Sequence, residues 1–484
     1  MNPLKRASFI CFVMTGVFSA SQSFAAEGVE LVGYGARQKA LAGADIADSR
    51  DAMAISTNPA GIVGLDSQFQ FDFAGIFADR GYEATGPLVV VAPGWVQSGQ
   101  PDFPVPNGGA IHRIDADSAW GWSFYGNGGI NTTYGFNQYK PAISAPNVTL
   151  PAPFPPLTLT GPLIVPSFGG PFGGGAAGID LRQGFLSVDY ARKFGPVSIG
   201  LAPTVAVQIL NLQGLQTFYP YSWDPYHLSN NGYDWSFGGG LRFGLEYSIL
   251  PNLRFGLAAA TPMFMTPFGK YAGAIADHGK MDVPANINAG LAFDAMQDLT
   301  LMAGWKHIFY HEVPSLGNSS FPLYYGQLGS YGGPGFGWRD TDLASFGVEW
   351  RALKPLTLRL GYAYSTAMIG SQDVTLNVLA PAITHHNISG GFKYEIDKNN
   401  SIDFSTVYAV KNTLSGPEAQ PYASFAYTIP AFPPVFPGGT VPVTVPPVFN
   451  PYTKITAWLS AIEISLSWTY KFDSVDNRLI TAKY

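Results

Sequence analysis

Few residues in this chain stand at spacings that could support catalysis or hold a cofactor. Gly173, Gly175 and Gly178 satisfy the glycine spacing of a dinucleotide-binding turn, but the surrounding stretch is rich in Gly and Pro. It lacks the flanking strand and helix that such a turn must join. No serine stands in a context that marks the nucleophile of a Ser-His-Asp hydrolase. The sequence therefore predicts that the protein is not an enzyme and binds no cofactor.

The histidines do not form a predicted metal site. His307 and His311 are four residues apart on a predicted strand, where that spacing does not bring two rings onto one ion, and Glu312 is the only carboxylate beside them. The adjacent His385 and His386 would point to opposite faces of a strand. We predict no metal, and we place these histidines at strand ends near a membrane interface.

The composition excludes several classes of protein. Only 12% of the residues are charged, whereas soluble domains average roughly 25%. After the N-terminus, no apolar run reaches the roughly 18 residues that a membrane-spanning helix needs. The net charge of −6 argues against nucleic acid as a partner, because phosphate binding requires a clustered basic face. A chain rich in Gly and aromatics but poor in charge is typical of a transmembrane β-barrel.

The N-terminus has the pattern of a secretory signal peptide. Two basic residues precede an apolar segment at 7–20, and residues 23–25 end in the small-x-small pattern that signal peptidase recognises. We expect residues 1–25 to be removed, with cleavage after Ala26 as the alternative. An uncleaved anchor helix is the other interpretation, for which the apolar segment is short. Cleavage would remove the only cysteine, Cys11.

Apolar and polar residues alternate through most of the remaining chain, as in strands that face two different environments. Leu356, Leu358 and Leu360 share one face of a predicted strand, and Thr357 and Arg359 share the other. The same period predicts fourteen strands: 67–78, 107–115, 118–134, 180–193, 196–209, 232–248, 251–264, 283–295, 298–309, 339–352, 354–366, 384–396, 400–411 and 456–472.

The connections between these strands alternate strictly between tight turns and long loops. This asymmetry is typical of outer-membrane barrels, which have turns in the periplasm and long loops outside the cell, whereas a soluble sandwich has no reason for it. We therefore predict an all-β fold, a 14-stranded antiparallel transmembrane β-barrel at residues 66–472, in the outer membrane of a Gram-negative bacterium. Residues 473–484 form either a periplasmic tail or the end of the last strand.

The segment before the barrel, residues 26–65, does not alternate and is rich in Gly and Ala. Residues ahead of a closed barrel lie either in the periplasm or in the lumen. A segment of small residues packs compactly inside a pore, so a plug is the functional interpretation and a solvated tail the alternative.

Three parts of the chain carry a resemblance to a known family. The first is the segment before the barrel, with Gly33, Ala42-Gly43, Ala47, Asp51-Ala52 and Asn58-Pro59-Ala60-Gly61; the others lie at 283–305 and 342–364. In these parts the chain resembles the FadL-type outer-membrane transporters of long-chain fatty acids and other hydrophobic compounds, including the related aromatic-hydrocarbon channels (the FadL/TodX family). The matches run from about residue 28 to 410.

The resemblance implies a mechanism of passive uptake. Hydrophobic molecules would be captured by the extracellular loops, gated by an N-terminal hatch, and released sideways into the bilayer through an inward kink of the third strand. The hatch residues would be Gly33, Gly43, Asp51, Asn58, Pro59, Ala60 and Gly61. The kink would lie at Asn127, Gly128 and Gly129, because Gly inside a strand marks a bulge or bend; tight packing against the hatch is the alternative.

The ligand is less well defined by the sequence. Arg242, Arg359 and Lys393 are candidate lumen cations that could meet a carboxylate, although Arg359 and Lys393 also suit structural ion pairs. The long loops contain few basic residues, which favours neutral or aromatic hydrocarbons over fatty acids. We expect a monomer in contact with outer-membrane lipid and lipopolysaccharide. The alternative function is a structural or adhesive barrel that binds a partner through its loops.

Overall fold

The computed structural model describes residues 28–88, 90–99, 102–135, 148–149, 158–159, 169–320, 326–420, 423–429, 439–445 and 448–472. The expectations for residues 1–25 and 473–484 lie outside these ranges. Among the described residues, no helix is both long enough and apolar enough to cross a membrane.

Fourteen antiparallel strands close into a barrel, which confirms the predicted fold class. In chain order they are β1 (Gln68–Thr85), β2 (Asp102–Arg113), β3 (Ser118–Tyr134), β4 (Ala177–Phe194), β5 (Val197–Gln213), β6 (Asp234–Leu250), β7 (Leu253–Ala260), β8 (Asn286–Met296), β9 (Leu299–Ile308), β10 (Thr341–Leu353), β11 (Leu356–Ser365), β12 (His386–Glu395), β13 (Asn400–Gln420) and β14 (Val448–Lys471). Each strand pairs with the next over at least part of its length, and β14 pairs with β1, so the sheet closes on itself.

Short strands, helices and 3-10 turns accompany the fourteen barrel strands. Strand Gly94–Gln97 pairs with the upper part of β1 and strand Phe264–Met265 pairs with β6. Two small hairpins pair Val148–Thr149 with Thr158–Leu159 and Ala423–Ile429 with Gly439–Val445. The helices and 3-10 turns are Ala36–Ala40, Ala52–Ser56, Pro59–Ile62, Gln216–Tyr221, Pro225–His227, Gly269–Tyr271, Ala276–Gly279, Tyr310–Glu312, Pro314–Gly317, Ser371–Asp373 and Val374–Asn377.

The alternation in the sequence separates the two faces of the wall. On β10, Phe346 and Trp350 are 59% and 46% exposed, whereas the residues that directly precede them, Ser345 and Glu349, are buried. Apolar side chains therefore point outward to lipid and polar ones point inward. This is why strands with few charged residues form a stable barrel in a membrane.

The boundaries of four strands differ most from the prediction. The stretch 79–106 was predicted as a loop, but β1 continues to Thr85 and β2 begins at Asp102, so that Pro104 and Pro106 lie inside a strand. These prolines pair with β1 on one side and have no ladder partner on β3 on the other. On the side of β3, the missing proline N–H therefore removes no ladder hydrogen bond. The stretch 412–455 is likewise partly strand, because β13 and β14 extend beyond the predicted limits.

Residues 28–65, here called the hatch segment, lie inside the barrel. Their side chains bond to inward-facing residues of strands all around the wall, including Asn127 on β3, Lys306 on β9, Glu349 on β10 and Glu463 on β14. These residues therefore pack against the wall and do not form the solvated tail that is the alternative interpretation of the sequence.

The lipid-facing position Leu360 provides a test of the outward face. It is 68% exposed in the middle of β11, so we expect Leu360→Arg to lower the free energy of unfolding by about 2–4 kcal/mol, as for a cation near the bilayer midplane. Urea titration in lipid vesicles measures the change. Tyr331→Arg is the control, because this loop side chain is 86% exposed. Equal stability of the two variants would place Leu360 away from lipid.

Candidate transport pathway

Two capped 3-10 turns give the hatch segment its local structure. The Asp51 side chain accepts a hydrogen bond from the backbone N–H of Met53 at 3.0 Å and begins the turn Ala52–Ser56. Asn58 accepts from the backbone N–H of Ala60 at 3.2 Å, and Pro59 occupies the first position of the next turn, where its missing N–H is not needed. These residue types therefore begin the two turns of the segment.

The Asn58-Pro59-Ala60-Gly61 turn rests directly on the barrel wall. The Asn58 amide donates to the carbonyl oxygens of Ile46 and Leu245, at 2.8 and 3.2 Å. A Cβ at Gly244 on β6 would collide with Asn58 and Ala60. The wall glycine therefore permits contact between the backbones of the turn and the strand, a role that the sequence alone did not reveal.

The remaining predicted hatch positions shape the first turns of the segment. Gln38 accepts hydrogen bonds from the backbone N–H groups of Tyr34 and Gly35 with its side-chain oxygen and packs against Gly33. Gly43 has φ +75°, and its backbone lies against the carbonyl of Val32. Both glycines thus lie where the chain doubles back on itself.

A buried ion cluster joins the hatch segment to the wall. Arg37 binds Asp45 at 3.1 Å and Asp48 at 2.8 Å within the segment, and Glu349 on β10 at 3.0 Å. Glu349 also binds Arg359 on β11 at 2.8 Å. All five side chains are nearly inaccessible to water, so each charge depends on its partners for stability.

Further ion pairs attach the segment at other points of the wall. Lys39 binds Glu463 on β14 at 2.5 Å, and Glu30 binds Lys306 on β9 at 2.6 Å. Arg254 on β7 binds Asp48 at 2.9 Å. The attachments are spread around the barrel, so no single pair holds the segment in place.

The three candidate cations lie in different surroundings. Arg359 is committed to Glu349 and to Asp403, the latter at 2.5 Å. Lys393 lies 3.8 Å from Glu395 on the same strand. Arg242 is 4% exposed and, within the described residues, makes no ion pair and has an unpartnered Nε.

Arg242 lines a cavity of about 30 Å³ between the hatch segment and the wall. Glu30, Tyr34 and Lys306 line the same cavity. Since this volume accommodates little more than water, the cavity has no room for a hydrophobic ligand while the hatch segment is in place.

Strand β3 is distorted where the sequence placed the kink. The pairing of β3 with β4 shifts register between Gly126 and Gly128, which leaves Asn127 in a bulge. From Phe124 to Thr132 the alternation of exposure is lost and every residue is buried. Gly128 has φ +153°, and a Cβ there would collide with the carbonyl of Val29. The strand therefore leaves the regular wall and contacts the hatch segment.

Hydrogen bonds fix the start of the hatch segment to the bulge. The backbone N–H of Leu31 donates to the Asn127 carbonyl at 3.1 Å, and the Tyr34 hydroxyl donates to the Asn127 side-chain oxygen at 2.8 Å. The Asn127 amide donates to Gln183 on β4 at 3.0 Å. Asn127 thus links the segment, the bulge and the neighbouring strand.

The wall is interrupted between β2 and β3. The two strands are paired from Gly108 opposite Phe124 down to the periplasmic turn. Above this point they have no ladder pairing until the backbone N–H of Gly99 donates to the Thr133 carbonyl at 2.7 Å. Between these limits the described β2 residues 102–107 have no ladder partner on β3, and the backbone N–H of Gly126 donates instead to the Asn107 side-chain oxygen at 2.9 Å. We call this interruption the wall gap.

Extracellular loops cover the barrel with an apolar cluster. Loop 3 (214–233), loop 4 (261–285), loop 5 (309–340) and loop 6 (366–385) together line a cavity of about 50 Å³. The same continuous cluster of buried apolar residues includes Phe218 and Leu379 in the loops, Tyr125 and Ile130 on β3, and Val29 in the hatch segment. Apolar surface therefore extends from the loops to the wall gap.

Loop 6 is tied to its neighbours and to β3. Asp373 accepts hydrogen bonds from the hydroxyls of Ser319 and Ser320, at 2.5 and 3.0 Å, and burial raises its pKa despite these bonds. The hydroxyls of Thr132 and Tyr134 on β3 donate to the carbonyls of Leu379 and Val378, at 2.9 and 2.6 Å. Hydrogen bonds thus connect loop 6 to β3, the strand beside the wall gap.

The histidines bind side chains and backbone groups near strand ends. His307 contacts Asp342 at 2.9 Å and His386 contacts the Tyr362 hydroxyl at 2.7 Å. His385 instead approaches the Ser365 carbonyl at 3.0 Å. In the part of the chain that the structure describes, no three metal-binding side chains converge.

The ion cluster generates a prediction about the hatch segment. We expect Arg37→Met to loosen the segment by about 3–5 kcal/mol, because Asp45, Asp48 and Glu349 would each lose a buried partner. Conductance in planar bilayers should therefore rise. Arg351→Met, at an exposed position two residues after Glu349, is the control. If both variants conduct like the wild type, the cluster does not hold the segment.

Comparisons with known proteins place this geometry among channels of known structure. No family model matches the sequence, and no curated protein matches it. The toluene transporter TodX of Pseudomonas putida is 16% identical with a TM-score of 0.59, and the comparison covers 92% of this chain and 100% of TodX. The toluene transporter TbuX of Ralstonia pickettii is 16% identical with a TM-score of 0.55, covering 91% and 99%.

A third solved structure extends the likeness. A FadL homologue of Pseudomonas aeruginosa is 13% identical with a TM-score of 0.59, and the comparison covers 92% of this chain and 100% of the homologue. At such low identity the likeness concerns the fold. The chain is a 14-stranded antiparallel β-barrel with the fold of TodX, TbuX and this FadL homologue.

Proposed function

We propose that the protein is an outer-membrane channel for the passive uptake of hydrophobic molecules, either long-chain fatty acids or aromatic and aliphatic hydrocarbons. The observation that carries this proposal is the wall gap between β2 and β3, next to a lumen filled by the hatch segment. A closed wall would satisfy more backbone groups, so an interruption needs a functional reason. An exit into lipid supplies one.

Capture takes place among the extracellular loops. An apolar solute crossing the polar lipopolysaccharide layer gains free energy by leaving water for an apolar surface. The cavity of loops 3 to 6 offers such a surface, and the apolar cluster continues from it to Tyr125 and Ile130 on β3. The molecule thus moves from the cavity of loops 3 to 6 toward the wall gap without crossing open water.

The hatch segment gates this route. The first residues of the segment are hydrogen-bonded to the bulge of β3 through Leu31 and Tyr34. The segment fills the lumen below the extracellular loops. Displacement of residues 28–34 would uncover the inner side of β3, whereas the ion cluster around Arg37 keeps the rest of the segment in place. Release then occurs sideways through the wall gap, and the outer leaflet receives the molecule.

The alternative is a structural or adhesive barrel that binds a partner through its loops. Such a protein needs neither an interrupted wall nor a hatch bonded to the interruption. The fold of the structural neighbours, which are named as transporters of toluene or as a FadL homologue, also favours a channel over an enzyme. We further expect a monomer surrounded by outer-membrane lipid and lipopolysaccharide.

Uptake by whole cells tests the function. Cells that lack the protein are compared with cells that express it, using labelled oleate and labelled toluene at concentrations limiting for growth. We expect expression to increase the initial rate for at least one of the two compounds. Equal rates for both compounds in the two strains would exclude the transport function and favour the adhesive alternative.

Gly128→Val tests the lateral route separately. Both Gly128 and Gly195 have positive φ, so valine costs about 1–3 kcal/mol of backbone strain at either position. Only at Gly128 does the new side chain also collide with the hatch segment, because nothing lies near the Cβ position of Gly195. We expect Gly128→Val to raise the initial rate of uptake, because the valine side chain would displace Val29 and uncover the inner side of β3.

Gly195→Val should leave uptake close to that of the wild type. Heat-modifiable migration on gels shows that both barrels have folded. Normal uptake by a folded Gly128→Val variant would contradict release beside β3 while leaving the channel function intact.

A further inference from the structure

The cavity beneath loops 3 to 6 contains a single polar side chain. It is lined by apolar residues such as Leu215, Phe218, Leu328 and Leu379, and Ser315 is the only residue with a polar side chain among those that line it. No charged residue of the described chain lines the cavity. Its chemistry is therefore that of an apolar pocket with one hydroxyl.

The Ser315 hydroxyl has no hydrogen-bond partner. The side chain is 3% exposed, and its oxygen is buried and unsatisfied. Its backbone carbonyl is used, because it accepts from the N–H of Phe336 at 3.2 Å. Most buried hydroxyls are satisfied, since an unsatisfied one is destabilising. An unpartnered hydroxyl in an apolar pocket is therefore suited to a partner that arrives with a ligand.

The cavity also restricts the size and charge of that ligand. Its volume of about 50 Å³ is smaller than the roughly 150 Å³ cavity that binds benzene, so a ring enters only when the lining moves. The lining comes from four loops and from Leu212 at the end of β5. A carboxylate would be buried without a counter-charge, which is strongly unfavourable.

We infer that this cavity selects uncharged molecules with an apolar body and one hydrogen-bonding oxygen, such as phenols and alcohols, through Ser315. The inference rests on the proposed function, because it assigns the chemical class captured by the loops. The Ser315 hydroxyl both donates and accepts, so it pairs with a phenolic or alcoholic oxygen. A plain hydrocarbon leaves it unpaired, and a carboxylate lacks a cation.

Toluene, p-cresol and p-toluate form a matched series that tests this selection. They share one ring and differ in carrying a methyl group alone, an added hydroxyl, or an added carboxylate. Binding is measured by calorimetry with the protein in lipid nanodiscs, after subtraction of empty nanodiscs. We expect p-cresol to bind more tightly than toluene and p-toluate to bind weakest.

The ratio of p-cresol to toluene affinity identifies the residue responsible. In Ser315→Ala this ratio should fall about tenfold, because the hydroxyl of p-cresol would then be buried without a partner. Ser315→Thr retains a hydroxyl and should preserve the ratio. Ser330→Ala is the control in the same loop, because the Ser330 hydroxyl already donates to the Gln327 carbonyl at 2.6 Å.

Two failures are distinguishable. If Ser315→Ala and Ser315→Thr both keep the wild-type ratio, or if p-toluate binds as tightly as p-cresol, the selection through Ser315 is overturned while uptake stands. Uptake of toluene, p-cresol, p-toluate and oleate is also compared in cells with and without the protein. If the two kinds of cell take up all four compounds at equal rates, the proposed function itself fails. Heat-modifiable migration confirms that each variant has folded.

Discussion

A network of buried ion pairs between the hatch segment and the wall, including Arg37 with Glu349, is the constraint on which the interior of this protein depends. The lumen of a barrel of this size is wider than its own side chains can fill, and here another part of the chain fills it. The hatch segment does so with a guanidinium placed among carboxylates from both the segment and the wall. Each charge is tolerated only because the others are present.

That constraint explains the unequal distribution of charge in the chain. Outward positions such as Phe346 and Leu360 meet lipid and cannot be charged. Inward positions such as Glu349 and Arg359 meet the hatch segment and form ion pairs. The loops carry apolar residues that form one continuous buried cluster with residues of β3. A low charge fraction overall thus coexists with a dense ion cluster in one place.

Much of the fold follows from the sequence because lipid and lumen impose a period of two on every strand. All fourteen strands and the order of turns and loops were predictable on this ground. The predicted limits were least accurate at β1, β2, β13 and β14, whose upper parts lie beyond the region where alternation is enforced. Pro104 and Pro106 fell outside the predicted strands, and the sequence does not show that the edge of β2 toward β3 has no ladder partner.

The candidate site was only partly predictable. The family resemblance indicated the hatch turn at Asn58 and a kink in the third strand, and Gly inside a strand indicated where the kink lies. The structure has a capped turn and a bulge at these positions. The partner of Arg37 is 312 residues away and depends on strand register and on the depth of the segment. The unpartnered hydroxyl of Ser315 likewise becomes visible only when four loops are brought together.

The wall gap is closed at both ends, by the pairing of Gly108 with Phe124 below and by the bond from Gly99 to Thr133 above. The six β2 residues 102–107 pair with β1 but have no ladder partner on β3. They span about 20 Å at the usual rise of a strand. A slit held at both ends has a set length and widens little. As an exit, it would sort molecules by thickness: a flat ring or an extended chain passes edge-on, whereas a bulky fused or branched body is retained whatever its hydrophobicity.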